Sequence, residues 1–259
     1  MKLDQLKYRP PVFWVPFVSI LLLWLIYYLD WRFYLGWRDY GIHPRKISGL
    51  KGVFFSPLLH GSVKHLFNNS LALAMLLPLI CYYYFNNWKA IISYGVLFVG
   101  LGTWIIAESG NHIGASGLVY VLISYLFFTG IRSKQYKLMA VSLVVVLIYG
   151  SSVWYMFPDI EQGISWQGHL SGFLVGLILS FILQKPQFEP IYTYEWQKPD
   201  FDESKDEFIR NFDKSGNFRP LPLLRIDDMG YVYNDSFHYK LNNNLTIKTT
   251  LRQSYKFYV

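Results

Sequence analysis

Ser116 stands in the run Gly114-Ala115-Ser116-Gly117, with no bulky side chain beside it. The run opens an apolar segment that predicts a helix. A serine at a helix N-terminus sits among free backbone N–H groups, and the helix dipole there favours developing negative charge. That setting suits a nucleophile. The same small residues also let helices approach closely, so the run alone does not separate chemistry from packing.

His169 lies in Gly168-His169-Leu170-Ser171-Gly172-Phe173-Leu174-Val175-Gly176. The glycines recur every four residues, which predicts a smooth strip for close helix packing. The histidine beside that strip is carried close to a neighbouring helix. An imidazole with an ordinary pKa of ~6.5 suits proton transfer near neutral pH. A purely structural hydrogen bond is the alternative role.

A third cluster is His60, then His65-Leu66-Phe67-Asn68-Asn69. His65 and Asn69 are four residues apart and share a helix face. Both can donate a hydrogen bond to an anion, or serve as interhelical polar glue or a helix cap. His60, His65 and His169 invite the thought of zinc, but no carboxylate or cysteine adjoins them. The spacing of His60 and His65 is also not i, i+4.

These groups sit in an apolar chain. Hydrophobic residues make up 53% of it and charged residues 16%, against ~25% charged in a soluble domain. Six stretches are long enough, at about 20 residues each, to cross a bilayer. They are roughly 11–29, 65–86, 88–107, 114–131, 136–157 and 167–184. Short loops join several of them, and lipid tolerates only spans whose backbone is internally satisfied, so an all-α polytopic bundle is expected. The first stretch is too long for a signal-peptide core and is followed by Asp30-Trp31-Arg32, so it reads as a retained transmembrane helix. Cys81, the single cysteine, lies within an apolar run and reads as a buried small hydrophobe.

Charge is uneven. Of 24 basic and 17 acidic residues, 11 of each fall after residue 184, leaving 13 basic against 6 acidic before it. A basic excess flanking apolar segments reads as membrane topology, and no arginine-rich stripe points to nucleic acid. The basic N-terminus, Lys89, and the loop with Arg132, Lys134 and Lys137 fall on one side of alternating spans. Glu108, Asp159 and Glu161 fall on the other. Both termini are therefore expected in the cytoplasm. The loop from Asp30 to Leu59 departs from the rule: it holds Arg32, Arg38, Arg45, Lys46 and Lys51, yet lies on the opposite side. Its tryptophans and tyrosines suggest an element at the headgroup level. His60, Asn68, Asn111 and His112, near one end of the second and fourth spans, are candidates to line a polar cavity. Residues 185–259 form a polar tail. From about Tyr231, aromatic and β-branched residues alternate with polar ones, as in Tyr231-Val232-Tyr233 and Leu245-Thr246-Ile247, which hints at short strands.

Taken together, His65 with Asn69, Gly114-Ala115-Ser116-Gly117 with Tyr120, and His169 with Gly172 and Gly176 resemble the rhomboid family of intramembrane serine proteases. The resemblance covers most of residues 11–184. It implies a six-transmembrane-helix rhomboid-like bundle in 1–184, with a cytoplasmic tail in 185–259. It implies that Ser116 is the nucleophile and His169 the base. His65, Asn69 and the Ser116 N–H would form the oxyanion hole. Tyr120, Gly114, Gly172 and Gly176 would support the dyad. No cofactor and no metal is implied. The implied substrates are single-span membrane proteins, cut on the non-cytoplasmic side, and the implied site is a prokaryotic plasma membrane. Two features depart from the family pattern. The Trp31-Arg32 and Trp37-Arg38 pairs come earlier than is common, and Gly168 stands where alanine is frequent. A client-binding relative without catalysis would lack the serine or the histidine, and a transporter would show inverted repeats.

Overall fold

The computed structural model describes residues 9–161, 163–183, 194–206 and 208–218, and the backbone of three strands beyond them. The chain divides into two compact units, Met1–Phe188 and Glu189–Val259.

The first unit is helical. Its long helices are α1 (Pro11–Phe33), α3 (Val63–Tyr83), α4 (Trp88–Ile106), α5 (Ser116–Ser133) and α6 (Tyr136–Tyr149), the last running on as a 3-10 segment, Gly150–Met156. These five are long and apolar enough to span a membrane. α7 (Trp166–Ile182) is apolar but has only 17 residues. At 1.5 Å per residue it reaches about 25 Å. The result is an integral membrane bundle of six apolar helices.

Sequence signals set the helix starts. Pro11 occupies the first turn of α1, where its missing N–H costs nothing. Ser62 caps α3 by accepting the His65 N–H at 3.2 Å. Ser165 caps α7 by accepting the Gly168 N–H at 3.3 Å. Side chains from α3, α5 and neighbouring helices build the core, with Leu66, Leu76, Ile80, Ile91, Leu122 and Leu126 fully buried. α7 packs along α5 and α4, and α1 packs against α3.

α1 extends four residues past the expected end because Asp30 is satisfied there. Its carboxylate accepts the Trp37 N–H at 2.8 Å and pairs with Arg38 at 3.2 Å. The following loop contains a helical turn, α2 (Gly52–Phe55), flanked by 3-10 turns. Its basic residues are put to structural use. Arg45 donates to the Ile105 and Ala107 carbonyls at 3.2 and 2.7 Å, at the end of α4, and Lys51 lies over the Tyr40 ring. Glycines let this loop sit against the bundle: a Cβ on Gly100 of α4 would fall 2.7 Å from a Val53 methyl carbon. Ile42 and His112 exchange backbone hydrogen bonds at 2.9 Å, tying the loop to the segment that leads into α5.

The second unit carries an antiparallel sheet of order β1-β2-β3, from β1 (Leu223–Ile226), β2 (Val232–Asp235) and β3 (Gln253–Tyr255). The alternation around Val232 and Tyr233 thus falls in a strand. Tyr231 and Leu245-Thr246-Ile247 lie outside the described residues.

Candidate active site

Ser116 is the first residue of α5. Gly114, just before it, has φ of +116°, a conformation that residues with a Cβ rarely adopt. Its N–H donates to the Ser56 carbonyl at 2.8 Å. A Cβ at 114 would also press into the His65 ring, at 2.7 Å from Nε2. Glycine here permits the turn and leaves room for His65 beside the approach to Ser116.

His169 lies in the first turn of α7 and is buried. Its Nε2 is 2.9 Å from Ser116 Oγ, and its Nδ1 is 3.0 Å from the Tyr155 carbonyl oxygen. A carbonyl only accepts, so the ring proton belongs on Nδ1. Nε2 is then a free lone pair that accepts the Ser116 hydroxyl proton. This is the tautomer a base requires. Tyr120, one turn along α5 from Ser116, stacks on the imidazole with centroids 4.3 Å apart and planes 16° from parallel. Its hydroxyl donates to the Ser152 carbonyl at 2.5 Å.

The approach of α7 to α5 depends on two glycines. A Cβ on Gly172 would lie 2.9 Å from Tyr120 Cβ, and one on Gly176 would lie 2.9 Å from Ser124 Cβ. Gly168 also lies against α5, since a Cβ on Gly117 would fall 3.5 Å from its carbonyl oxygen, but its own Cβ position faces Ser165 and Thr103 of α4. Four-residue spacing drifts about 40° per step around a helix of 3.6 residues per turn, which turns this end of the strip toward α4.

His65 and Asn69 also converge here. From the Cβ position of Gly114, His65 Nε2 is 2.7 Å away and Asn69 Nδ2 is 3.6 Å away. The Asn69 amide donates one hydrogen to His60 Nε2 at 3.0 Å and keeps its second. His60 is buried, and burial pushes its pKa down to about 4, helped by His65 and opposed by a backbone hydrogen bond at Leu58. Neutral His60 therefore acts as acceptor and fixes the Asn69 amide.

A cavity of about 40 Å³ opens beside Ser116. Its polar lining comes from Ser56, Thr103, His112 and Ser165. Only His112 of the four expected lining residues is among them. His60 is engaged with Asn69, Asn68 is exposed, and Asn111 donates to the Arg38 carbonyl at 2.8 Å. Ser165 carried a readable signal, since it caps α7, and its hydroxyl also pairs with His112 Nδ1 at 2.7 Å. The Tyr155 carbonyl carried none, because a backbone acceptor has no residue signature. Among the described residues, no group of three His, Cys, Asp or Glu side chains is placed to hold a metal.

Comparison with known proteins places the chain in a family. The Rhomboid domain model matches residues 48–186, more than half of the chain. An uncharacterized protein of Mycobacterium bovis and one of Mycobacterium tuberculosis are each 36% identical over 157 residues, 57% of this chain and 65% of theirs. An uncharacterized protein of Mycobacterium leprae is 28% identical over 174 residues, 64% of this chain and 69% of its own. The match thus spans a little under two thirds of the first two relatives. On the strength of the domain match, the chain belongs to the rhomboid family of intramembrane proteases.

Proposed function

We propose that the protein is a serine endopeptidase that cleaves the transmembrane segments of other membrane proteins through a Ser116–His169 dyad. The observation that carries this reading is the 2.9 Å approach of His169 Nε2 to Ser116 Oγ, with Nδ1 held by a carbonyl. As Oγ attacks the scissile carbonyl, its proton passes to Nε2. The tetrahedral oxyanion is met by His65, the free hydrogen of Asn69 and the Ser116 N–H. Collapse breaks the C–N bond, and the imidazolium gives its proton to the leaving amine. Water, deprotonated by Nε2, then hydrolyses the ester. The polar cavity supports this step, since about 10–15 Å³ suffices for one water and it offers 40 Å³ beside Ser116.

The substrates on this reading are single-span proteins in the lipid bilayer, cut on the non-cytoplasmic side. A helical substrate hides its carbonyls, so helix-weakening residues near the cut lower the cost of exposing one. The membrane is a prokaryotic plasma membrane with both termini of this chain, including the tail unit, in the cytoplasm. The charge of the loops supports that orientation. The loop with Arg32, Arg38, Arg45, Lys46 and Lys51 is the exception, and two of its charges are engaged within the protein, Arg38 with Asp30 and Arg45 with the carbonyls at the end of α4.

The test is reconstitution in vesicles with a single-span reporter whose transmembrane segment carries small, helix-weakening residues. Cleavage by the wild type and none by Ser116→Ala is the expected result. Equal reporter turnover by both proteins would refute the reading.

A further inference from the structure

The dyad has no carboxylate behind its histidine. Two hydrogen bonds run instead to one short stretch of backbone. His169 Nδ1 is 3.0 Å from the Tyr155 carbonyl, and the Tyr120 hydroxyl is 2.5 Å from the Ser152 carbonyl. Both acceptors belong to the 3-10 segment Gly150–Met156, where the α-helical part of α6 ends. A 3-10 turn has 3.0 residues per turn, so Ser152 and Tyr155 carbonyls eclipse and point the same way. Here that direction is toward Tyr120 and His169, whose rings are stacked on each other. The Ser152 hydroxyl donates back to the Tyr149 carbonyl at 2.6 Å, and the Phe157 N–H closes onto the Trp154 carbonyl at 3.0 Å, which holds the segment's ends.

We infer that this segment is the positioning element of the dyad: the Tyr155 carbonyl fixes the productive tautomer of His169, and the Tyr120 hydroxyl holds the segment in place through Ser152. The inference rests on the protease reading for its kinetic consequence. Its structural half, the location of the ring proton, stands without it. The carbonyl lacks the charge of a carboxylate, so it orients the ring and adds little stabilisation to an imidazolium. Tyr120 and Tyr155 touch no substrate atom in this scheme. They act through His169.

The experiment weakens the carbonyl without removing a side chain. Incorporating the α-hydroxy acid in place of Met156 turns the Tyr155 carbonyl into an ester carbonyl, a poorer acceptor. The same change at Phe157 serves as the matched control: it too deletes one N–H, the one that closes the segment's end onto the Trp154 carbonyl, and so reports any general loosening of the segment, while it leaves the Tyr155 amide intact. Nitrogen-15 resonances of the His169 ring report the tautomer in detergent, and reporter cleavage gives kcat and KM. The expected result is a single Nδ1–H tautomer in the wild type and in the Phe157 ester. The Met156 ester should populate the Nε2–H form and lose about tenfold in kcat with KM unchanged, the size of one modest hydrogen bond. Tyr120→Phe, which keeps the stacked ring and loses the anchor, should shift the tautomer in the same direction. An unshifted tautomer in both the Met156 ester and Tyr120→Phe would overturn the inference, as would equal losses from the two esters. A wild type that neither cleaves nor labels would sink the protease reading, and the tautomer would still decide the positioning role.

Discussion

Tyr120 and His169 lie ring against ring, 4.3 Å between centroids and 16° from parallel, one on α5 and the other on α7. The pair locks His169 to the helix that begins with Ser116. Replacing Tyr120 by leucine removes the stack and the hydroxyl anchor together. An aromatic pair contributes about 0.5–1.5 kcal/mol, so the rate of Ser116 acylation should fall about three- to tenfold or more. Stopped labelling time courses with a serine-directed probe measure it.

His65 and Asn69 face the Gly114 turn from α3. As oxyanion donors, each should cost about 2.7–4 kcal/mol in the barrier when removed. His65→Ala and Asn69→Ala should each lower kcat by about 10²–10³ and leave KM for the reporter little changed. Full kcat in either variant would remove that residue from the oxyanion hole.

The α5–α7 interface has no room at Gly172, whose Cβ would crowd Tyr120 Cβ and the Gly117 carbonyl. Gly172→Ala should lower stability by about 1–3 kcal/mol, the usual cost of overpacking, and thermal unfolding in detergent should show a clearly reduced Tm. Gly168→Ala meets softer neighbours, the nearest being the Ser165 hydroxyl at 3.1 Å, and should cost less.

That contrast shows how far the sequence could be read. Ser116, His169, Tyr120, His65 and Asn69 are distinctive residue types on helices whose apolar runs are plain, and the fold brings them together. The six apolar helices were equally legible from length alone. Gly168 also packs closely, but its Cβ position turns toward Thr103 of α4, because equal spacing in sequence is not equal facing on a helix. The 3-10 ending of α6 was invisible, since Gly150-Ser151-Ser152 and the apolar residues after it fit a longer helix as well. The partners of the loop charges were not legible either: a topology rule counts charges, and it cannot see that Arg38 has found Asp30 and that Arg45 has found the carbonyls at the end of α4.

His60 gives the fold a pH dependence. Its folded pKa, about 4, lies below the ordinary 6.5. The unfolded chain therefore binds this proton more readily. The stabilisation is present above about pH 6.5 and is lost as pH falls through the folded value near 4, for a total on the order of 3 kcal/mol. Tm should drop across that window, and His60→Gln should show a shallower drop although it starts lower. A parallel pH dependence in the two proteins would contradict the assignment.

The most direct measurement is labelling of the purified protein by a fluorescent fluorophosphonate, comparing wild type, Ser116→Ala and His169→Ala. The dyad account predicts a labelled wild type and no labelling of either variant, because the serine is reactive only while His169 takes its proton. A well-folded wild type that stays unlabelled, or a His169→Ala variant that labels as fast as wild type, would contradict it.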